Sequence, residues 1–189
     1  MNALTLLKQD HGNVEALFKQ FEGLTHDGDA TEKRRVVDHV VEQLSVHAAI
    51  EEQLFYPAIR ACSEEARDLV LEALEEHHVV KWTLSEIEKL PPSDERFDAK
   101  VRVLIESVRH HVEEEENELF EIIRTAVNTT RLEELGTAME QAKATAPTRP
   151  HPRTPDEPPL NVLVGVPAAV LDKALNAGKH VVGRVLNRS

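Results

Sequence analysis

The sequence predicts an all-α protein, an antiparallel up-down four-helix bundle with a Pro-rich linker and a C-terminal amphipathic helix. Three observations carry this. Apolar residues recur at helical spacing from the start of the chain to about Lys143. Glycine is sparse, at 7 of 189 residues, and most of the 10 prolines lie beyond Ala146. A histidine-centred pattern also occurs twice, dividing the chain before the linker into two similar helical hairpins.

The first helix is expected over residues 3–24, where Leu4, Leu7, Val14, Leu17, Phe18 and Phe21 share one face. Gly23 and the run Thr25–Asp29 end it with turn chemistry. A second helix opens near Thr31 and carries a Val-rich stripe to about Ala61, with Pro57 removing one backbone donor near its end. Ser63, followed by two acids, caps a third helix that runs to Leu90 and stops at Pro91-Pro92. Ser93 is expected to cap the fourth, ending near Asn128, and a short fifth helix covers Thr130–Lys143. Residues 1–144 thus form the bundle and its short fifth helix. The linker, 145–159, holds six prolines. Residues 160–189 regain apolar periodicity, with four Lys or Arg against one Asp.

Charge and composition exclude several classes. A net charge of −12 disfavours nucleic acid as a partner, because phosphate binding needs clustered cations. The lone cysteine, Cys62, allows no internal disulfide. Asp10 and His11 arrive before any long apolar run, so no secretory signal is expected, and no stretch approaches the ~20 residues that span a bilayer. The expected location is cytoplasmic. Ten histidines are the compositional oddity.

Their spacing explains them. His47-Ala-Ala-Ile-Glu51-Glu52 leads into Leu54-Phe55, and in the second hairpin His111-Val-Glu-Glu-Glu115-Glu116 leads into Leu119-Phe120. Upstream of each stands another histidine, His11 and His77, at nearly the same distance from its partner motif. Residues four apart lie above one another on a helix, so His47 with Glu51 and His111 with Glu115 each share one face. That face also carries the apolar stripe, which turns the pair inward. A buried carboxylate costs several kcal/mol (~1–3 or more) unless it is paired or binds a metal. Four histidines and two glutamates at one depth resolve that cost by sharing cations, and mixed nitrogen and oxygen ligands suit iron or manganese, with zinc able to substitute. The predicted metal ligands are His11, His47, Glu51, His77, His111 and Glu115, with Glu15 and Tyr56 as additional candidates. Glu15 lies four residues after His11 on the same face. Tyr56 falls about 180° from His47 on an ideal helix, so packing is its expected role unless the turn before Pro57 is distorted. His78 and His110 adjoin ligands but lie ~100° round the helix, where either could exchange roles with its neighbour. His39 is expected to be half-buried, and Trp82 and the five phenylalanines to belong to the core.

These motifs resemble the hemerythrin HHE cation-binding family over about residues 1–140. The resemblance rests on Asp10-His11, His47-x-x-x-Glu51-Glu52 with Leu54-Phe55-Tyr56-Pro57, Glu76-His77, and His111-x-x-x-Glu115-Glu116 with Leu119-Phe120. It implies a hemerythrin-like bundle around two iron ions with an oxo or hydroxo bridge. In it, His11 and His47 serve one iron, His77 and His111 the other, and Glu51 and Glu115 bridge. It further implies a non-haem di-iron protein that binds or turns over O2, NO or H2O2 with the help of an electron donor. An oxygen- or iron-sensing or storage protein without turnover is the alternative. Oxygen carriers of this family have another histidine one turn after the third-helix ligand, where this chain has Lys81. That substitution tilts the expectation from reversible oxygen carriage towards redox turnover. The tail is expected to pack along the bundle or in a partner's apolar groove, a second copy of the chain included. Its basic charge also suits a membrane surface, although membrane association is not its expected role.

Overall fold

The computed structural model describes residues 1–24 and 30–153. Helix α1 spans Ala3–Gly23 and is capped by the Asn2 side chain, which accepts from the Thr5 amide at 2.9 Å. Helix α2 runs Ala30–Ile50, passes through a π-helical turn at Glu51–Phe55 and finishes as Tyr56–Ile59. Helix α3 spans Glu64–Ile87 behind the expected cap, the Ser63 hydroxyl accepting from Ala66 N at 3.0 Å. Helix α4 runs Phe97–Glu114, passes through its own π turn at Glu115–Leu119 and ends as Phe120–Ala126. Helix α5, Thr129–Lys143, starts from an Asn128 cap that bonds Arg131 N at 2.9 Å. Among the described residues there is no strand.

Neighbouring helices run antiparallel. Glu86 meets Lys100, and Glu76 meets His111, so α3 and α4 pass in opposite directions. Glu22 and Glu15 meet Arg109, and His11 meets Glu116, which sets α1 against α4. The second π turn lies one hairpin-repeat after the first, at the matching step of the second hairpin.

Two apolar clusters divide the interior. One holds Leu4, Leu7, Ile50, Phe55, Ile59, Val70, Phe120, Ile123, Leu132 and Met139. The other holds Phe18, Phe21, Val36, Val37, Val40, Leu84, Ile87, Phe97 and Leu104. The four motif histidines fall in sequence between residues of the two clusters on every helix, so the core is interrupted by a polar layer at mid-height. At the end of the bundle away from α5, Lys33 on α2 donates to Asp98 on α4 at 2.7 Å, both buried.

Four expectations change. Ser93 caps nothing: the chain makes a turn from Pro91 to Phe97, held by Asp94 N to Pro91 O and Phe97 N to Asp94 O, and α4 begins only at Phe97. Pro92 and Asp94 favour that turn over an immediate helix. His39 is exposed rather than half-buried, since it follows the inward Val36-Val37 pair by about half a turn. Trp82 lies outside the core at 40% exposure, its indole N–H donating to His78 at 3.1 Å along α3. Proline at 57 does not by itself account for the distorted turn before it, because the second π turn has no proline.

Helix α5 packs on α1 through Gly136. A Cβ there would meet Met1 O at 2.4 Å and Ala3 N at 2.7 Å, both backbone atoms that cannot rotate away. Gly136→Ala should therefore cost about 1–3 kcal/mol, read as a lower midpoint in urea unfolding. Beyond α5 the start of the linker lies on the bundle, with Pro150 buried and Arg149 donating to Glu88 at 3.1 Å. The rest of the linker and the expected C-terminal helix lie outside the described residues. No helix among those residues is long and apolar enough to cross a membrane.

Candidate metal centre

Each of the four bundle helices supplies a histidine to the polar layer, and the two π turns begin on its glutamates. His11, His47, His77 and His111 are all buried, as are Glu51 and Glu115. Ligand atoms of His11, His47, Glu51 and Glu115 lie within 4.8 Å of one another, and so do those of Glu51, His77 and His111. Glu51 joins the two groups: its Oε2 stands 3.0 Å from His47 Nε2 and 3.4 Å from His77 Nε2. Glu115 Oε2 stands 3.3 Å from His11 Nε2, and the Nε2 atoms of His77 and His111 are 3.3 Å apart. The structure therefore brings together all six predicted ligands.

Behind each imidazole stands a carboxylate. Nδ1 of His11 faces Glu116 at 2.8 Å, that of His77 faces Glu52 at 3.1 Å, and that of His111 faces Glu76 at 2.7 Å. Asp10 stands 3.7 Å from Nδ1 of His47 and is itself held by Lys143 at 2.6 Å. A carboxylate only accepts, so in His11, His77 and His111 the proton sits on Nδ1 and Nε2 turns its lone pair inward, as in metal-bound histidines, whereas Nδ1 of His47 and Oδ2 of Asp10 have no hydrogen-bond partner. The pattern is crossed. The acid before each first histidine, Asp10 or Glu76, serves the second histidine of its own hairpin. The acid after each glutamate, Glu52 or Glu116, serves the first histidine of the other hairpin.

The family model for the Hemerythrin HHE cation binding domain matches residues 2–123. The chain belongs to this family. A crystal structure of a hemerythrin HHE cation-binding domain-containing protein from Mycobacterium kansasii superposes with a TM-score of 0.64 at 26% identity, covering 76% of this chain and 88% of that one. An uncharacterized hemerythrin-like protein of Schizosaccharomyces pombe is 25% identical over 166 residues, covering 87% of this chain and 80% of its own length. A DNA nickase of Nostoc is 29% identical over 144 residues, covering 76% of this chain but only 40% of the nickase. The HHE domain is a cation-binding, typically iron-binding, domain, and the two His/Glu clusters here are its candidate sites.

The HHE site of this chain contains a residue that regular helix geometry places elsewhere. A π turn adds one residue and rotates everything after it by about 100°. Tyr56 thereby returns to the centre, fully buried, with its hydroxyl donating to Glu115 at 3.2 Å and lying 3.4 Å from His77 Nε2. Its counterpart after the second π turn is Phe120, which stacks on His11 with ring centres 6.2 Å apart, as Tyr56 lies against His77 at 5.5 Å. At this matched position the two half-sites thus differ by a hydroxyl, present on Tyr56 and absent from Phe120.

Glu15 is not brought in. It is held at the surface by Arg109, at 2.9 and 3.0 Å, and lies outside both ligand groups. Lys81 stands where the carriers have a histidine. Its ammonium turns to Glu52 and donates to both oxygens at 2.8 and 3.0 Å. His78 and His110 stay outside the layer, His78 against Trp82 and His110 near Glu114 at 3.4 Å. The supporting carboxylates did leave a trace in the sequence: every predicted ligand pair carries an acid directly beside it, in Asp10-His11, Glu51-Glu52, Glu76-His77 and Glu115-Glu116.

Electrostatics show what the layer lacks. Burial, and then the neighbouring Glu115, push the Glu51 carboxyl well above the usual range. Burial also raises Glu115, but His11, His111 and His47 outweigh it and hold that carboxyl down at about 2. Burial and the adjacent imidazoles keep His77 neutral well below the ordinary histidine range. Burial opposes protonation of His111 too, yet Glu76, Glu115 and Glu51 raise it. Both oxygens of Glu51, Oε2 of Glu115, and Nε2 of His11 and of His47 are buried without a hydrogen-bond partner. Such groups are costly unless something positive lies among them. Metal ions meet that need, so the donor set fits the cations its family binds.

Proposed function

We propose that this domain holds two iron ions and uses them to bind and turn over a small oxidant, O2, NO or H2O2. The observation that carries the reading is Glu51, whose carboxylate, without a hydrogen-bond partner, lies within 3.4 Å of imidazoles from both hairpins. In this reading His11 and His47 would hold one ion and His77 and His111 the other, and Glu51 and Glu115 would supply their carboxylates. Bound iron would supply electron transfer to the oxidant. The protein's share is orientation: Glu52, Glu76 and Glu116 fix three of the imidazoles, and the Tyr56 hydroxyl donates a hydrogen bond to Glu115. Four histidines rather than five favour turnover over carriage, because fewer protein ligands leave coordination for the oxidant. Nucleic-acid chemistry is not carried over from the Nostoc relative, since this chain spans under half of that protein and bears a charge of −12.

Aerobic purification followed by metal analysis tests the proposal. About two irons per chain are expected, with near-UV absorption from the ferric ions and O2 release from added H2O2. His47→Ala and Glu115→Ala should abolish both. A colourless, zinc-filled protein inert to H2O2 and NO would overturn it.

A further inference from the structure

A cavity of about 380 Å3 lies over the histidine side of the centre. All four motif histidines line it, whereas Glu51, Glu115 and Tyr56 do not. Its walls are Val14, Phe18, Leu44, Val80, Val108 and Val112. A water or a diatomic needs only about 10–15 Å3 of such space, while pockets for organic ligands begin near ~300 Å3. The cavity is therefore far larger than the oxidant requires, and its walls are apolar.

Gly12 stands at its mouth, one residue after His11. Glycine inside a helix costs about 1 kcal/mol relative to alanine. No neighbour demands it here, since a Cβ at this position would meet nothing within 4 Å. Its effect is to leave the opening clear.

Charge at the mouth selects the class of ligand. Arg109 is spent on Glu15 and Glu22, with contacts of 2.7–3.0 Å, and Lys8 faces Glu116 at 3.0 Å. Glu113 adds a further carboxylate to the lining. The mouth is thus net acidic and repels anions, while the apolar walls offer nothing to a buried cation.

We propose that this cavity binds a neutral, apolar organic molecule against the four histidines. Its role as a companion to the oxidant rests on the metal reading above; the binding itself does not. The test uses the full chain, metal-free and iron-loaded, with the neutral fluorophore N-phenyl-1-naphthylamine. Saturable binding of one probe per chain is expected in both forms, displaced by 1-decanol about tenfold more effectively than by decanoate. Gly12→Phe at the mouth and Val112→Phe in the wall should each weaken it by roughly tenfold or more, with wild-type iron content retained in Gly12→Phe. Absence of saturable binding, binding untouched by both variants, or equal displacement by decanoate would each overturn the assignment. Probe binding without iron uptake would remove the metal reading alone, and iron uptake without probe binding would remove the cavity alone.

Discussion

Glu51→Gln is expected to abolish metal loading and, in the same protein, to raise the melting temperature of the metal-free form. Glu51 is fully buried, and neither of its oxygens has a hydrogen-bond partner. Its carboxyl is pushed up by burial and by Glu115, so without a cation the folded state resists its ionisation. A group whose folded pKa lies above its unfolded value adds stability below that unfolded value and loses it as pH rises through the folded one. For Glu51 the loss begins above 4.5 and extends well upward. Glutamine keeps the shape, removes the charge and can donate to Glu115. The metal-free variant should exceed the metal-free wild type by about 1–4 kcal/mol near neutrality, roughly 2–4 °C for each kcal/mol. Melting curves at pH 5 and pH 8 check this, since the gap must widen with pH. Iron should reverse the order, stabilising only the wild type. A variant less stable than the metal-free wild type at both pH values would contradict the account.

Lys81→Met is expected to be the most damaging single change outside the ligands. Lys81 is buried and gives Glu52 two short contacts, and Glu52 in turn holds His77 Nδ1. Removing one partner of a buried pair costs about 3–5 kcal/mol, because the remaining charge keeps its desolvation penalty. A fall of roughly 10 °C in melting temperature is therefore expected. Adding Glu52→Gln should recover about 1–3 kcal/mol of that loss, a non-additivity measurable in urea. Simple additivity would mean that Lys81 acts by packing alone. Where oxygen carriers have a histidine, this chain has a strut for one.

The bundle was legible because its apolar stripe is strong and its stops are chemically plain: Gly23, Pro91-Pro92 and the Ser63 cap. That the four histidines and two glutamates meet at the centre was legible for a different reason. Two copies of one motif at matching intervals state a geometry that one copy cannot. What escaped was anything that departs from about 100° per residue. The π turns at Glu51 and Glu115 leave no compositional mark, and it is the rotation they supply that brings Tyr56 back to the centre. Glu15 and Lys81 lie at matching points of the two hairpins, yet one turns to Arg109 and the other to Glu52. That choice depends on partners from distant helices, which periodicity does not register. Ser93 misleads because a capping residue beside Asp94 also suits a turn.

The crossed carboxylates also constrain the order of assembly. Each hairpin contains two histidines and one central glutamate, a plausible half-site by composition. Yet Glu52 orients a histidine of the other hairpin, and Glu116 does the same in return. A half-chain would leave its acid without an imidazole and its first histidine free to rotate. Neither hairpin is thus a self-sufficient module, and ions arriving before the halves dock would meet unoriented ligands. Cation loading is therefore expected to follow collapse, with its binding energy accruing to the joined pair rather than to either part.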